Sequence, residues 1–171
     1  MALLIKAAKE AGLTANFYTY YASSTGVPTA MGAAGIDKVK LIGYWHPNNA
    51  SVLGAQLTKG FKDKYKDDLS SVSTYSLIAS LSKAVKKAGT IDPVKVALAL
   101  EDAQIDFFGN PANMRKSDHQ IQQTLYLSNW VKLNGKDVQF DQENTGMGWQ
   151  TLKKIDAFVA AQPTSCQMKR P

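Results

Sequence analysis

The sequence predicts an α/β fold with a mostly parallel sheet, and three observations indicate this class. Segments with helical spacing of apolar residues alternate with short strand-like segments over most of the chain. The strand-like segments 16–21 and 38–45 are rich in aromatic or β-branched residues and end at turn-forming residues. A third segment, 124–133, alternates in side-chain type and runs into Asn134-Gly135, which predicts a β-hairpin with residues 136–141.

A first helix is predicted at the start of the chain. Residues 1–13, MALLIKAAKEAGL, resemble the head of a secretory signal, but Lys6, Lys9 and Glu10 interrupt the uncharged core that such a signal needs. A helix ending at Gly12 fits better, although no capping side chain precedes it. Its expected apolar face consists of Leu3, Leu4, Ala7, Ala8 and Ala11.

Capping residues and apolar spacing predict the remaining helices. These are a short helix over Thr25–Gly35 with Pro28 in its first turn; a helix capped by Ser51 with the stripe Leu53, Leu57, Phe61 and Tyr65; a helix from about Ser71 to Gly89 with the stripe Tyr75, Ile78, Leu81, Val85 and Ala88; a helix from Asp92-Pro93 to about Ala103; and a closing amphipathic helix over residues 148–161.

The composition is that of an ordinary globular chain. Its 171 residues can bury one core or belong to two smaller lobes, and no uncharged apolar run approaches the roughly 18 residues of a membrane span. The net charge is +6, but the lysines of KGFKDKYKDD are interleaved with aspartates, which favours solvated faces over a nucleic-acid-binding stripe. The single Cys166 allows no internal disulfide.

Residues that would carry catalysis are not arranged in a recognisable pattern. The sequence has no Gly-x-Ser-x-Gly elbow and no glycine-rich phosphate loop. His46 and His119 are far apart and no third ligand accompanies them, so surface or hydrogen-bonded histidines are favoured over metal ligands. We therefore expect no catalytic residues, no metal and no cofactor.

Tyrosines cluster where the first two strands are predicted to end. Tyr18, Tyr20 and Tyr21 precede the turn SSTG, and Tyr44 precedes the break at Pro47. In open α/β sheets ligands bind at the carboxyl ends of strands, and a tyrosine there offers a flat face and a hydroxyl. Ligand contact and core packing are equally supported by this pattern.

Several phrases resemble the second half of type I periplasmic solute-binding proteins of the leucine–isoleucine–valine group. They are LLIKAAKEAGL; FYTYY followed by GVPTAMG; FKDKYKDD; TYSLIASLSKAVKKAGTIDPVKVALALE; FFGNPANM followed by RKSDHQIQQTLYLSNWVK; and the tail CQMKRP. The resemblance implies a two-lobed fold with parallel sheets flanked by helices, of which this chain is the C-terminal half beginning at an internal methionine. Residues 1–44 would belong to the second lobe, 45–118 to the first, and 119–171 to the second again.

The resemblance also implies a function. A protein of this group captures a small amino-acid-like solute between its lobes in the periplasm and presents the closed form to the permease subunits of an ABC importer. The residues expected to contact the solute are Tyr18, Tyr20, Tyr21 and Tyr44. No nucleic-acid partner is expected. The acidic residue that meets the ligand's ammonium in branched-chain binders is missing between Glu10 and Asp37, so amides and aromatic carboxylates join amino acids as expected solutes. A ligand-sensing domain of a regulator or receptor on the same fold is the alternative.

Overall fold

Helices and strands alternate along the first part of the chain, as the apolar spacing predicts. The computed structural model describes residues 1–49, 51–70, 72–101, 103–159 and 161–169. The helices within them are α1 (Ala2–Glu10), α2 (Val27–Met31), α3 (Val52–Tyr65), α4 (Val72–Ala88) and α5 (Pro93–Leu100), with a 3-10 turn at Gly32–Gly35. The strands are β1 (Phe17–Thr19), β2 (Val39–Gly43), β3 (Gln104–Phe107), β4 (Asn110–Met114), β5 (Ile121–Gln122), β6 (Leu125–Lys132) and β7 (Met147–Ile155).

The chain divides into two units. The first comprises Met1–Ser70 and Leu125–Lys154, and the second comprises Ser71–Thr124 and Ile155–Pro171. The lobes implied by the family resemblance have other boundaries, after residues 44 and 118, and that assignment stays a prediction.

A four-stranded sheet in the order β1-β2-β6-β7 organises the first unit. Strands β1 and β2 are parallel, with Thr19 opposite Leu41. Strand β6 is antiparallel to β2, with Tyr126 opposite Gly43. The α/β class is therefore confirmed, and the sheet is mixed because β6 runs back along β2.

Two tryptophans form the centre of the first unit's core. The rings of Trp130 on β6 and Trp149 on β7 lie 4.8 Å apart, and both residues are fully buried. The indole N–H of Trp130 donates to the carbonyl of Gly32 at 3.0 Å, which satisfies the polar group of a buried ring. The other buried apolar members of this core are Ile5, Ala22, Met31, Val39 and Leu41.

The second strand of the predicted hairpin lies later in the sequence than expected. Residues 136–141 are not a strand, because the side chain of Asn134 accepts from the N–H groups of Lys136 and Val138 and turns the chain locally. Strand β7 instead pairs beside β6.

The predicted closing helix is also wrong, since β7 covers most of residues 148–161. Burial of Trp149 against Trp130 requires an extended segment at this place, and this packing overrides the helical spacing. Ala160 of that prediction lies outside the described residues.

The second unit contains α4, α5 and a three-stranded sheet in the order β3-β4-β5. The sequence analysis did not predict these strands. The turn between β3 and β4 places Phe108 at φ 52° and Gly109 at φ 83°, the left-handed pair that a tight hairpin turn requires. The ring of Phe108 packs 5.4 Å from that of Tyr75, which anchors the hairpin to α4.

Helix ends follow the sequence closely, whereas the buried helix faces do not. Ser51 caps α3 and Asp92 caps α5, as predicted. The predicted start of α4 at Ser71 lies outside the described residues. The buried positions are Ile5 and Ala8 on α1, and Val72, Ser76, Ser80 and Ala84 on α4. Small residues thus form the packed face of α4, because they let neighbouring backbone approach closely. None of the described helices is both long and apolar enough to cross a membrane.

Candidate functional site

Three of the four predicted tyrosines lie at one edge of the first unit's sheet. Tyr20 and Tyr21 directly follow β1, and Tyr44 directly follows β2. Because β1 and β2 are parallel, their carboxyl ends share that edge, where open α/β sheets bind ligands. Tyr20 is 69% exposed and Tyr21 71% exposed, so their rings can receive a solute. We name Tyr20, Tyr21 and Tyr44 the tyrosine edge.

Tyr18 occupies a different position. It is the middle residue of β1, opposite Lys40 in register, and its exposed side chain alternates with that of buried Thr19. The side chain therefore lies on the exposed face of the strand rather than beyond its end.

Consecutive turns order the chain after β1. The hydroxyl of Thr19 accepts from the N–H of Tyr21 at 3.0 Å. The N–H of Ser24 donates to the carbonyl of Tyr21 at 3.1 Å, and the N–H of Val27 donates to the carbonyl of Ser24 at 2.9 Å. Ala22 between them is fully buried. This segment therefore runs directly from Tyr21 into α2.

The carboxylate of Glu143, in the loop between β6 and β7, accepts hydrogen bonds at the start of α2. Glu143 accepts from the N–H of Gly26, from the N–H of Thr29 at 2.8 Å and from the hydroxyl of Thr29 at 2.6 Å. The first N–H groups of a helix have no intrahelical partner and carry partial positive charge, so a carboxylate is well placed there. We name this arrangement the Glu143 clasp.

Contacts from Asp68 and Lys62 hold the loop that contains Glu143. Glu143 and Asn144 both adopt φ 54°, a conformation that side chains with a Cβ rarely adopt and that persists only where surrounding contacts impose it. The N–H of Glu143 donates to Asp68 at 2.6 Å. Asp68 in turn pairs with the ammonium of Lys62 at 3.0 Å, and Asp141 pairs with the same ammonium at 2.7 Å. Lys62 of α3 thus holds the loop directly at Asp141 and, through Asp68, at Glu143.

The pKa values in this network follow from burial opposed by hydrogen bonds. Burial would raise the pKa of the Glu143 carboxyl, but the donors on Thr29 and Gly26 outweigh it and hold the pKa below its usual range. Burial would lower the pKa of the Lys62 ammonium, but its two carboxylate partners raise it. Both groups are therefore ionised at neutral pH.

His46 lies in the segment that follows β2. It is 2% exposed. Its Nδ1 accepts from the N–H of Asn48 at 3.2 Å, so the ring hydrogen is on Nε2, which lies 2.8 Å from the hydroxyl of Thr151. Burial lowers the pKa of the imidazole from 6.5 to about 4. His46 is a neutral, hydrogen-bonded histidine, as the sequence analysis favoured.

Asn48 ties the segment before the clasp loop to the end of β2. Its amide donates to the carbonyl of Phe140 at 2.7 Å, and its oxygen accepts from the N–H groups of Gln139 and Phe140 at 2.9 Å and 2.8 Å. Three hydrogen bonds from one side chain replace the strand pairing that residues 136–141 lack.

The second unit contains a separate groove of about 240 Å³, lined mainly by α5 and by Met168 of the tail. Glu101 and His119 meet in it at 2.8 Å, so His119 is also hydrogen-bonded, as predicted. Asp118 beside it forms a two-point ion pair with Arg115, which holds the pKa of that aspartate well below its usual range. Within the described residues, no three His, Cys, Asp or Glu side chains are grouped to hold a metal ion.

The sequence analysis missed Glu143 as the partner of the start of α2. No acidic residue lies between Glu10 and Asp37 in the sequence, and the structure brings Glu143 from 117 positions away to Gly26. The available signal was the string DQENTG, in which Asp141 and Glu143 come just before the turn-forming residues Asn144 and Gly146. Chemically, the tyrosine edge offers aromatic faces and hydroxyls, which suit non-covalent binding of a small solute with apolar and polar parts.

Comparison with known proteins places this geometry in a wider group. A family model described as periplasmic binding protein matches residues 1–137. The comparison with curated proteins found no match.

Solved structures resemble the chain at low sequence identity, which shows the fold alone. A leucine-, isoleucine-, valine-, threonine- and alanine-binding protein from Brucella ovis is 23% identical with a TM-score of 0.85, over 99% of this chain and 44% of that one. An ABC-transporter solute-binding protein from Rhodopseudomonas palustris, in complex with 3,4-dihydroxybenzoic acid, is 15% identical with a TM-score of 0.66, over 91% and 48%. A leucine-binding protein from Thermotoga maritima is 16% identical with a TM-score of 0.66, over 91% and 41%. The chain spans less than half the length of each.

Proposed function

The chain belongs to the periplasmic binding protein family, and from this membership we propose that it forms part of the solute-binding component of an ABC importer. The family resemblance drawn from the sequence is thereby confirmed. The chain spans 44% of the Brucella ovis protein, so the activity of a whole binding protein is part of this proposal.

The observation that carries the proposal is the tyrosine edge. Three tyrosines directly follow the carboxyl ends of two neighbouring parallel strands, and the turns after β1 order the chain at Tyr21. Aromatic faces and hydroxyls at such an edge favour reversible capture of a small molecule with apolar and polar parts. We propose contacts from Tyr20, Tyr21 and Tyr44 and no catalytic step.

The proposed solute is an amino acid, an amide or an aromatic carboxylate. The Brucella ovis protein is named for aliphatic amino acids and threonine, and the Rhodopseudomonas palustris protein holds a dihydroxybenzoate. Those two proteins bind these solutes. For this chain they support only the general class of small amino-acid-like or aromatic solutes.

The remaining parts of the proposal follow from the family. Residues 1–44 and 119–171 would lie in one lobe and 45–118 in the other, and the lobes would close around the solute by hinge motion. The closed form would be presented to membrane permease subunits from the periplasm.

The test measures solute binding by the full product of the gene. Thermal unfolding by circular dichroism is recorded alone and with branched-chain amino acids, amides and aromatic carboxylates, since a ligand that binds only the native state raises its melting temperature. Isothermal titration then gives the affinity of any stabilising compound. A cooperative transition that none of these compounds raises would refute the proposal.

Two tyrosine variants test the placement of the site. Tyr21→Ala is expected to weaken binding by about tenfold or more, because it removes an aromatic contact at the edge. Tyr18→Ala, on the same short strand but on its outer face, is the matched control and should retain the native affinity. Equal losses in both variants would show that the pocket is placed wrongly.

A further inference from the structure

A pocket of about 290 Å³ lies in the first unit, at the opposite end of the sheet from the tyrosine edge. Phe17, which begins β1, and Lys38, which directly precedes β2, both line it. Because β1 and β2 are parallel, their amino ends share one edge of the sheet, and the tyrosine edge is at their carboxyl ends. The pocket is therefore separate from the proposed solute site, and the proposed function does not use it.

The walls of this pocket are mainly apolar. They come from α1 and the residue after its end, from the start of β1 and from the segment between α2 and β2, and they include Ile5, Ala8, Leu13, Phe17, Ala34 and Ile36. Leu13 is 62% exposed, so a ligand that covers it removes apolar surface from water. A dry cavity of about 150 Å³ with such walls can bind benzene. The pocket is thus large enough for a hydrocarbon chain of several carbons.

Backbone hydrogen bonds order the walls on both sides. Helix α1 is followed by Gly12 at φ 68°, and the N–H of Leu13 donates to the carbonyl of Ala8 at 2.8 Å, a bond typical of helices that end at a glycine. The N–H of Phe17 donates to the carbonyl of Lys38 at 2.8 Å. The pocket is therefore formed before any ligand arrives, as most small-molecule sites are.

Positive charge surrounds the opening of the pocket. Within the described residues, the charged side chains that line it are Lys9 and Lys38, and neither ammonium forms an ion pair or a side-chain hydrogen bond. Asp37 does not neutralise them, because its carboxylate accepts from Asn129 on β6, on the other side of β2 from β1. Lysine stems lie along apolar walls while their ammonium groups stay in water. The pocket thus combines an apolar interior with an unneutralised cationic rim.

From this arrangement we propose that the pocket binds a small aliphatic carboxylate, with its hydrocarbon chain against Ile5 and Ile36 and its carboxylate at the rim with Lys9 and Lys38. The apolar walls require a hydrocarbon body, and the two ammonium groups favour an anionic head group over a cationic one. Such a ligand connects α1 to the start of the sheet. It stabilises the first unit without competing for the tyrosine edge.

Methyl NMR of the full gene product, labelled at isoleucine, locates the site with octanoate as the probe. Octanoate is expected to shift the methyl signals of Ile5 and Ile36, which line the pocket, and to leave those of Ile42, near the carboxyl end of β2, unchanged. The affinity should rise by up to about fourfold for each methylene added from butanoate to octanoate, because each adds apolar surface to bury. Octylamine, which has the opposite charge, should bind severalfold more weakly.

Side-chain variants then test the rim and the interior. Lys9→Gln and Lys38→Gln should each weaken octanoate binding by about two- to fivefold, the range for one solvent-exposed ion pair. Lys6→Gln is the matched control, since Lys6 is on the same helix but does not line the pocket, and it should keep the native affinity. Ala33→Leu places a larger side chain on the wall and should abolish most of the binding. Circular dichroism checks that each variant is folded.

The opposing outcomes separate this inference from the proposed function. Shifts at Ile42 in place of Ile5 and Ile36 would place the carboxylate near the tyrosine edge, which overturns the inference and leaves the proposed function standing. Equal losses in Lys6→Gln and Lys9→Gln, or equal affinities for octanoate and octylamine, would also overturn it. If octanoate at millimolar concentration shifts none of these isoleucines, the pocket is not a binding site. The panel of amino acids, amides and aromatic carboxylates tests the proposed function independently.

Discussion

Acidification is expected to destabilise the first unit through a single buried imidazole. His46 is 2% exposed, and burial lowers its pKa from 6.5 to about 4. Between these values the unfolded chain binds a proton that the folded chain excludes, so stability is fully present above pH 6.5 and falls as the pH decreases toward 4. Since each tenfold change in proton affinity corresponds to about 1.4 kcal/mol, the full loss is about 3 kcal/mol.

The loss at an accessible pH can be estimated from the same values. At pH 5 the unfolded imidazole is almost fully protonated and the folded one mostly neutral, which gives a loss of about 2 kcal/mol relative to pH 7. The geometry explains why the folded ring resists protonation. A proton on Nδ1 would oppose the N–H of Asn48, which now donates to that nitrogen at 3.2 Å.

NMR of the imidazole groups measures the protonation of His46 directly, because the chain contains only two histidines and their signals are easily told apart. In histidine-labelled protein, long-range proton–nitrogen spectra at pH 7 should show His46 with its hydrogen on Nε2, and its titration midpoint should lie near 4. His46→Gln removes this resonance, and His119→Gln leaves it unchanged. Urea unfolding at pH 7 and pH 5 should then show about 2 kcal/mol more loss in the native chain than in His46→Gln. A midpoint near 6.5 would mean that His46 is solvated, and the burial argument would be wrong.

Two further predictions concern packing and capping, both measured by urea unfolding of the chain. Gly148→Ala should destabilise it by about 1–3 kcal/mol, because the new methyl group would collide with the backbone carbonyl of Phe140. Gly60→Ala is its control: open space surrounds that helical position, and a gain of about 0.5–1 kcal/mol is expected. An unchanged midpoint for Gly148→Ala would contradict the close approach. Asp92→Ala should cost about 1 kcal/mol by removing the cap bonded to Lys95 at 2.9 Å, whereas Asp92→Asn should be nearly neutral; equal effects of the two would argue against a capping role.

Local chemistry explains the parts of the fold that sequence reasoning predicted. Ser51 and Asp92 cap their helices because the side-chain oxygen and its N–H partner are three residues apart. Gly89 ends α4 at φ 64°, a conformation that glycine adopts without steric cost. The parallel strands β1 and β2 bring Tyr21 and Tyr44 to one edge, as their positions at strand ends indicated.

The predictions that were wrong failed because contacts between distant residues outweighed the local pattern. Residues 148–161 have helical spacing, yet the pairing of Trp149 with Trp130 draws most of this segment into β7. The alternation within β6 was recognised, but whether the tryptophan face or the leucine face was buried depended on β7 and on the carbonyl of Gly32. These outcomes depend on partners far away in sequence, which periodicity within a segment does not contain.

The sequence by itself determined the family, the class of fold, the helix ends and the tyrosines at the ends of the first strands. Each depends on residues within a few positions of one another, where steric limits and capping hydrogen bonds act directly. Only the tertiary structure decided which helix faces are buried and which side chain accepts the free N–H groups at the start of α2. The Glu143 clasp joins residues 117 positions apart, and it exists because Lys62 on α3 and its carboxylate partners hold the loop in a backbone conformation that Glu143 and Asn144 would not adopt alone.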